Sequence, residues 1–349
     1  MEKHNAWLKI SHQIRLKCSD FNHLYFERHR RIDTYMVVST VLRLVSSPCT
    51  AYADALQDLA GKEVAVAASS FCAARRKVAS YFFSEILYDL IEFWDEFNPQ
   101  NASWYGFQVF AADGSRIIVP RELIREGFPN HYGRYRPQGL LTTVQRISDR
   151  TIHAMDFSES FNERQALKRL LERFGNGDLI IYDRGFFSYQ FAKEHELREI
   201  QAVFRLQGGD TIREIKEFRI SSKTDQITAI TPSSNTLSAA RKAMGLKLLE
   251  PITLRLIKYF IKGKTYILAT TILDQSIPAS DFADLYRKRW LIEELFKVFK
   301  QRLSVEGFHS KDRNGIEQEL YAAGILWNLT RMLESFASQQ HFKKNWQTA

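Results

Sequence analysis

The sequence predicts a mixed α/β protein with a helical N-terminal part and a β-rich insertion. Residues 1–95 carry the apolar spacing of amphipathic helices. From about residue 105, short apolar runs alternate with helical patterns, the texture of an α/β domain. Between residues 207 and 275 the chain is rich in Thr, Ser, Ile and Lys, with several strand-like runs, and after Pro278 it turns helical again. The expected organisation is a helical domain over 1–95, the first part of an α/β core over 96–206, a β-rich insertion over 207–275 and a helical completion of the core over 276–349.

In chain order, helices are expected over Tyr35–Val45, Ala51–Leu59 and Phe71–Trp94, separated by breaks at Ser46-Ser47-Pro48 and Gly61-Lys62. Tyr105–Ala112 and Arg116–Val119 read as strands on either side of Asp113-Gly114, a hairpin signal. Leu140–Ile147 and Thr151–Phe157 continue as strands. Asn162–Phe174 is a helix, since Leu167, Leu170, Leu171 and Phe174 share one face. Asp178–Tyr182 is almost wholly apolar, as a strand buried on both faces would be. A helix over Phe187–His195 and a strand over Gln201–Leu206 follow. Ile252–Ile261 and Thr265–Thr271 are the clearest strands of the insertion. One long helix is expected over Ser280–Leu303 and a last one over Gly315–Ser338. There is no internal repeat and no low-complexity tract.

Composition narrows the function. With 45% hydrophobic and 26% charged residues the chain can bury a sizeable core. Forty-nine Lys and Arg against 40 Asp and Glu leave +9, which favours a polyanionic partner. Cys18, Cys49 and Cys72 form no C-x-x-C pair, so a disulfide framework or thiolate zinc site is not expected and a reducing, cytoplasmic compartment is. The N-terminus lacks an apolar signal core, and Tyr35–Val45, the most apolar early stretch, is short and holds Arg43. No membrane role is expected. Two basic clusters, Arg28-His29-Arg30-Arg31 and Arg75-Arg76-Lys77, make Arg30, Arg31, Arg75, Arg76 and Lys77 candidate phosphate contacts; solvated helix faces are the plainer reading of the same charges.

The segment Asp281–Lys300 is the most informative. On a helical wheel at about 100° per residue, Tyr286, Arg289, Glu293, Lys297 and Lys300 fall within an arc of roughly 80°, with apolar residues broadly opposite. Such a face either meets water or sets one carboxylate among cations that grip phosphate. Two acids could join it. Asp113 follows Ala111-Ala112 at a strand end, where Asp-Gly is also plain turn chemistry. Asp183 follows Leu179-Ile180-Ile181-Tyr182, at the end of a buried strand where open α/β sheets place ligands, though a lone acid there also serves as a cap.

Together these pieces resemble the DDE transposases with the YREK signature, the insertion sequence four family. Tyr286, Arg289, Glu293 and Lys300 match Y-x2-R-x3-E-x6-K without adjustment, Asp183-Arg184-Gly185-Phe186 matches D-x-G-F/Y, and Asp113-Gly114 fits the first acid by order and context. The four-position match is specific; the other two are weak alone. The resemblance covers roughly residues 105–330 and implies an RNase H-like core with a β-rich insertion before the Glu. It implies Asp113, Asp183 and Glu293 as catalytic residues and ligands of two magnesium ions, with manganese able to substitute. It implies phosphate contacts from Tyr286, Arg289 and Lys300, with Trp290 and Lys297 beside them. The expected partners are double-stranded DNA, the terminal inverted repeats of an element and a target, met by a homodimer on paired ends in a prokaryotic nucleoid. The expected reaction is cut-and-paste transposition. Some relatives hold a flipped base with a Trp in the insertion; residues 184–289 contain none, and Trp290 is the one nearby.

Three other readings use the same acids: an RNase H-like nuclease that does not join strands, an inactive DNA-binding repressor derived from a transposase, and a glycoside hydrolase. Arg289, Tyr286 and Lys300 at the transposase spacing argue against the first, the intact acids against the second, and the basic surround against the third.

Overall fold

A computed structural model of the chain describes residues 2–26, 32–46, 54–56, 66–97, 104–130, 135–208, 212–232, 238 and 250–347. Its centre is an eight-stranded mixed sheet. Strands β1 (Gln108–Ile118), β2 (Gln138–Arg146) and β3 (Ile152–Ser158) form an antiparallel meander. Strands β4 (Asp178–Tyr182) and β5 (Gln201–Arg205) then run parallel to β1, giving the order β3-β2-β1-β4-β5 of an RNase H-like core. β6 (Asp225–Ile230), β7 (Ile252–Ile261) and β8 (Lys264–Thr270) come from the β-rich stretch and extend the same sheet, β8 pairing antiparallel with β5.

The hairpin expected at Asp113-Gly114 does not form. β1 runs straight through both residues, Asp113 paired with Thr143 and Gly114 with Thr142. A turn-prone pair stays extended here because β2 supplies a ladder partner all along it.

Alternation along β1 divides the sheet's surroundings. Phe110 and Ala112 face a core built with α6 (Glu163–Leu170), through Leu167 and Leu170, and with α7 (Tyr189–Leu197), through Phe191 and Ala192. Both helices start on side-chain caps: Asn162 Oδ1 accepts from Gln165 N at 3.1 Å, and Ser188 Oγ from Phe191 N at 3.2 Å. Ala111 and Ile117 face the larger core, shared with the helices at the two ends of the chain.

Those N-terminal helices are α1 (Glu2–Asp20), α2 (Asn22–Tyr25), α3 (Thr34–Ser46), α4 (Ala68–Arg75) and α5 (Ser80–Phe97). Most of Ala51–Leu59, and the expected break at Gly61-Lys62, lie outside the described residues. The single helix expected over Phe71–Trp94 is two, α4 and α5, with a turn between them. The helix α11 (Arg313–Gln347) stabilises that break. Its Asn314 Oδ1 accepts from Ser80 N at 2.7 Å, and Gln318 Nε2 donates to Val78 O at 2.6 Å, so backbone groups freed by the turn stay bonded. Asn328, also on α11, closes the start of β3 by accepting from Ile152 N at 2.7 Å and donating to Ile152 O at 3.0 Å.

The long helix expected over Ser280–Leu303 is also broken. After α8 (Arg213–Ile220) and the last strands come α9 (Ala279–Arg287), a 3-10 turn over Lys288–Trp290 and α10 (Leu291–Gln301). The tighter turn changes the phase of the wheel between Tyr286 and Glu293.

Candidate active site

Register places the first two acids. β1 and β4 are paired up to Ala112 and Tyr182, and β4 and β5 up to Tyr182 and Phe204. Asp113, Asp183 and Arg205 therefore follow the last paired positions of three neighbouring parallel strands, at one edge of the sheet. The Asp113 carboxylate accepts from its neighbour Gly114 N at 2.9 Å, and Arg205 Nη1 lies 3.6 Å from Asp183 Oδ1.

The third acid arrives from the helices. α9 ends on Tyr286, the 3-10 turn carries Arg289, and the first turn of α10 carries Glu293, where the helix dipole favours an acid. Tyr286 donates its hydroxyl to Asp183 Oδ1 at 2.8 Å. Arg289 Nη2 donates to Glu293 Oε1 at 2.7 Å, while Nη1 stands 3.6 Å from Asp113 Oδ2. The guanidinium thus links the acid of α10 to the acid of β1 with the planar fork that Lys lacks.

Charge is finely opposed at this edge. Burial pushes the Asp113 carboxyl up to about 6, against the Gly114 amide and Arg289, and the acids Glu163 and Asp183 push the same way as burial. Burial also works to raise Asp183, but the Arg184 amide, the Tyr286 hydroxyl and the two arginines 289 and 205 outweigh it and hold that carboxyl low. Burial and the Asp183 charge push the Tyr286 phenol above its ordinary range, so it donates its proton rather than losing it.

The expected site residues divide into three sets. Asp113, Asp183, Glu293, Tyr286 and Arg289 meet one another. Tyr286 and Arg289 are buried and turned onto the acids, where a straight helical wheel put them on a face open to phosphate. Lys300 Nζ donates to Arg116 O at 2.8 Å and ties α10 to the far part of β1. Trp290 and Lys297 stay exposed beside the acids, the Lys297 ammonium 4.8 Å from the Trp290 ring centre. Arg30 and Arg31 lie outside the described residues. Arg76 and Lys77 are exposed, but Arg75 is not a surface cation. It is buried between α4 and α11, with Nη2 2.8 Å from Glu319 Oε1 and Nε donating to Gln318 Oε1 at 2.7 Å. The apolar face of α4 carried it inward, and a buried acid was waiting. Arg205 and Glu163 were missed in the sequence: each stands next to an element end, and only the strand order brings it to the acids.

Among the described residues, no three Asp, Glu, His or Cys side chains converge closely enough to hold one metal ion. Arg289 lies between Asp113 and Glu293, and Tyr286 holds Asp183. The donor chemistry nonetheless fits a hard divalent cation: all three acids offer oxygen, and a buried Asp113 raised by neighbouring acids is a carboxylate short of positive charge.

The sequence profile of the family described as "Transposase DDE domain" matches residues 104–329. The chain belongs to the DDE transposase family. The DDE domain spans the whole sheet and the helices that carry the YREK residues. Its sequence is 26% identical over 303 residues to the transposase InsG for insertion sequence element IS4 of Escherichia coli (strain K12), covering 82% of this chain and 65% of InsG, so the chain spans less than two thirds of that relative. It is 29% identical over 160 residues to y4zB of Sinorhizobium fredii (strain NBRC 101917 / NGR234), covering 45% of this chain and 43% of y4zB. Among solved structures, the piggyBac transposase synaptic complex with hairpin DNA superposes with a TM-score of 0.46 at 13% identity, over 95% of this chain and 73% of that one. No described helix is long and apolar enough to cross a membrane.

Proposed function

We propose that the chain is a DNA transposase that cuts the ends of a mobile element and joins them to target DNA by a cut-and-paste route. Asp113, Asp183 and Glu293 would hold two magnesium ions, with manganese able to substitute, Asp113 being the shared ligand. When bound, such ions supply Lewis-acid activation of a water or 3′-hydroxyl and stabilise the leaving oxygen. The observation that most supports this reading is the edge itself: Asp113 and Asp183 lie just past the paired ends of adjacent parallel strands, and Arg289 links Glu293 to Asp113 there.

The other residues follow from their contacts. Tyr286 orients Asp183 through its hydroxyl. Arg289 neutralises Glu293 and Asp113 in the DNA-free chain and exchanges a carboxylate for a phosphate when a strand is seated. Trp290 offers an exposed ring and Lys297 a cation to that strand. The partners are double-stranded DNA with the terminal inverted repeats of the element, and a second copy of the chain on the paired ends. The compartment is a prokaryotic cytoplasm, on the nucleoid.

The test is incubation of purified protein with a labelled element end, target DNA and magnesium, read on a denaturing gel. Cleaved ends together with joined product support the proposal. Cleavage with no joined product points to an RNase H-like nuclease, and specific end binding with no cleavage points to a repressor.

A further inference from the structure

One acid outside the family triad faces the Asp113–Asp183 pair. Glu163 is the first residue of α6, and the helix is capped by Asn162, so the Glu163 carboxylate is not taken up by capping. Two glycines locate it. A Cβ on Gly114 would lie 3.2 Å from Glu163 Oε1, and a Cβ on Gly185 would lie 3.9 Å from Glu163 Oε2. One oxygen thus faces the residue after Asp113, and the other the turn that follows Asp183. The glycines in both motifs leave the room that this carboxylate occupies.

Glu163 approaches from the opposite side of the sheet to Glu293. α6 packs Leu167 and Leu170 with Phe110 and Ala112, while α10 packs Ile292, Leu295 and Phe299 with Ala111 and Ile117. The two aspartates lie at the edge between these faces. The charges felt by Glu163 are those of Arg116 and Asp183, and it is hydrogen-bonded to neither. An acid in a first helical turn is favoured by the dipole alone. The dipole does not account for a half-buried carboxylate directed at two other acids, which repel it unless a cation lies among them.

We infer that Glu163 is a fourth acid of the metal site, binding a divalent cation together with Asp113 and Asp183 from the face opposite Glu293. This rests on the proposed reading of that edge as a metal-dependent site. Six oxygen ligands suit such an ion, and each added carboxylate raises its affinity.

The test uses manganese alone, titrated into the purified full chain without DNA and followed by the electron paramagnetic resonance of the free ion. Glu163→Gln keeps the shape and removes the charge; Glu163→Asp keeps the charge and loses reach. Binding is expected to weaken about ten- to hundredfold in Glu163→Gln, the range seen when a supporting residue of a metal site is lost, and to stay weakened in Glu163→Asp. Asp183→Asn serves as the control for the site. Wild-type affinity in Glu163→Gln, with binding lost in Asp183→Asn, overturns the role of Glu163 and leaves the metal site standing. Wild-type affinity in Glu163→Asp alone reduces Glu163 to a distant charge and overturns its role as a ligand. A wild-type chain that binds no manganese overturns the metal reading and this inference together. Circular dichroism checks that each variant folds, and Glu163→Ser, well suited to a first helical turn, replaces Glu163→Gln if that variant does not.

Discussion

Arg289 and Glu293 are joined at 2.7 Å across the junction of a 3-10 turn and an α-helix, and the same guanidinium reaches to 3.6 Å from Asp113. An exposed ion pair one helical turn apart would contribute little. This one is buried at the arginine end and spans two elements that the fold brings together. Arg289→Lys keeps one charge but loses the fork. Single-turnover cleavage is expected to fall at least about tenfold, the equivalent of roughly 1.4 kcal/mol in the barrier, while affinity for an element end stays within about twofold. A variant that loses affinity and keeps its cleavage rate would instead make Arg289 a simple phosphate contact.

Much of this site is legible in the sequence because short-range spacing carries it. Tyr286, Arg289 and Glu293 stay one turn apart whether the turn is α or 3-10, so the motif survives the break at Lys288–Trp290. What the wheel could not supply is where that face points. Burial of Tyr286 and Arg289 depends on β1 and β4 lying beneath them. The Asp113-Gly114 pair was misread as a turn for the same reason: its conformation is decided by β2, paired with it from about thirty residues away. Arg205 and Glu163 carry no local signal, and only the strand order brings them to the acids.

The two N-terminal cations next to Arg75 separate structure from binding. Arg75→Ala leaves Glu319 buried and unpaired, and is expected to destabilise the fold by about 3–5 kcal/mol. Arg76→Ala and Lys77→Ala remove exposed charges and should leave stability within about 0.5 kcal/mol. If they meet DNA, each lowers the slope of log affinity against log salt by about one. Urea denaturation and salt-dependent binding of the three variants check both halves.

Stability should fall as the medium is acidified below about pH 6.5. His195 is buried and neutral: Phe191 O accepts from Nδ1 at 2.8 Å, and Nε2 accepts from the Tyr182 hydroxyl at 2.8 Å. Burial lowers its pKa from 6.5 to about 4, against the pull of the Phe191 carbonyl. The unfolded chain therefore takes up a proton first. Its contribution is complete above pH 6.5 and is lost as pH falls toward 4, at up to about 1.4 kcal/mol per pH unit. Urea midpoints at pH 7, 6 and 5 measure the slope, which should be shallower in His195→Gln.

Asn328 closes β3 from a helix, and its loss strands two backbone groups. Asn328→Ala leaves the Ile152 N–H and C=O buried without partners, at a cost of about 1–3 kcal/mol for each such group. A denaturant midpoint unchanged from wild type would show that the end of β3 opens to water instead.

The most direct measurement is single-turnover cleavage of a labelled element end in magnesium by the wild-type chain and by Asp113→Ala, Asp183→Ala and Glu293→Ala, with end affinity measured alongside. Metal-held charge stabilisation is worth several kcal/mol, so each substitution should slow cleavage by about a thousandfold or more while end binding stays close to wild type. Cleavage at the wild-type rate by any one of the three, Glu293→Ala above all, would contradict the assignment of that acid to the catalytic centre.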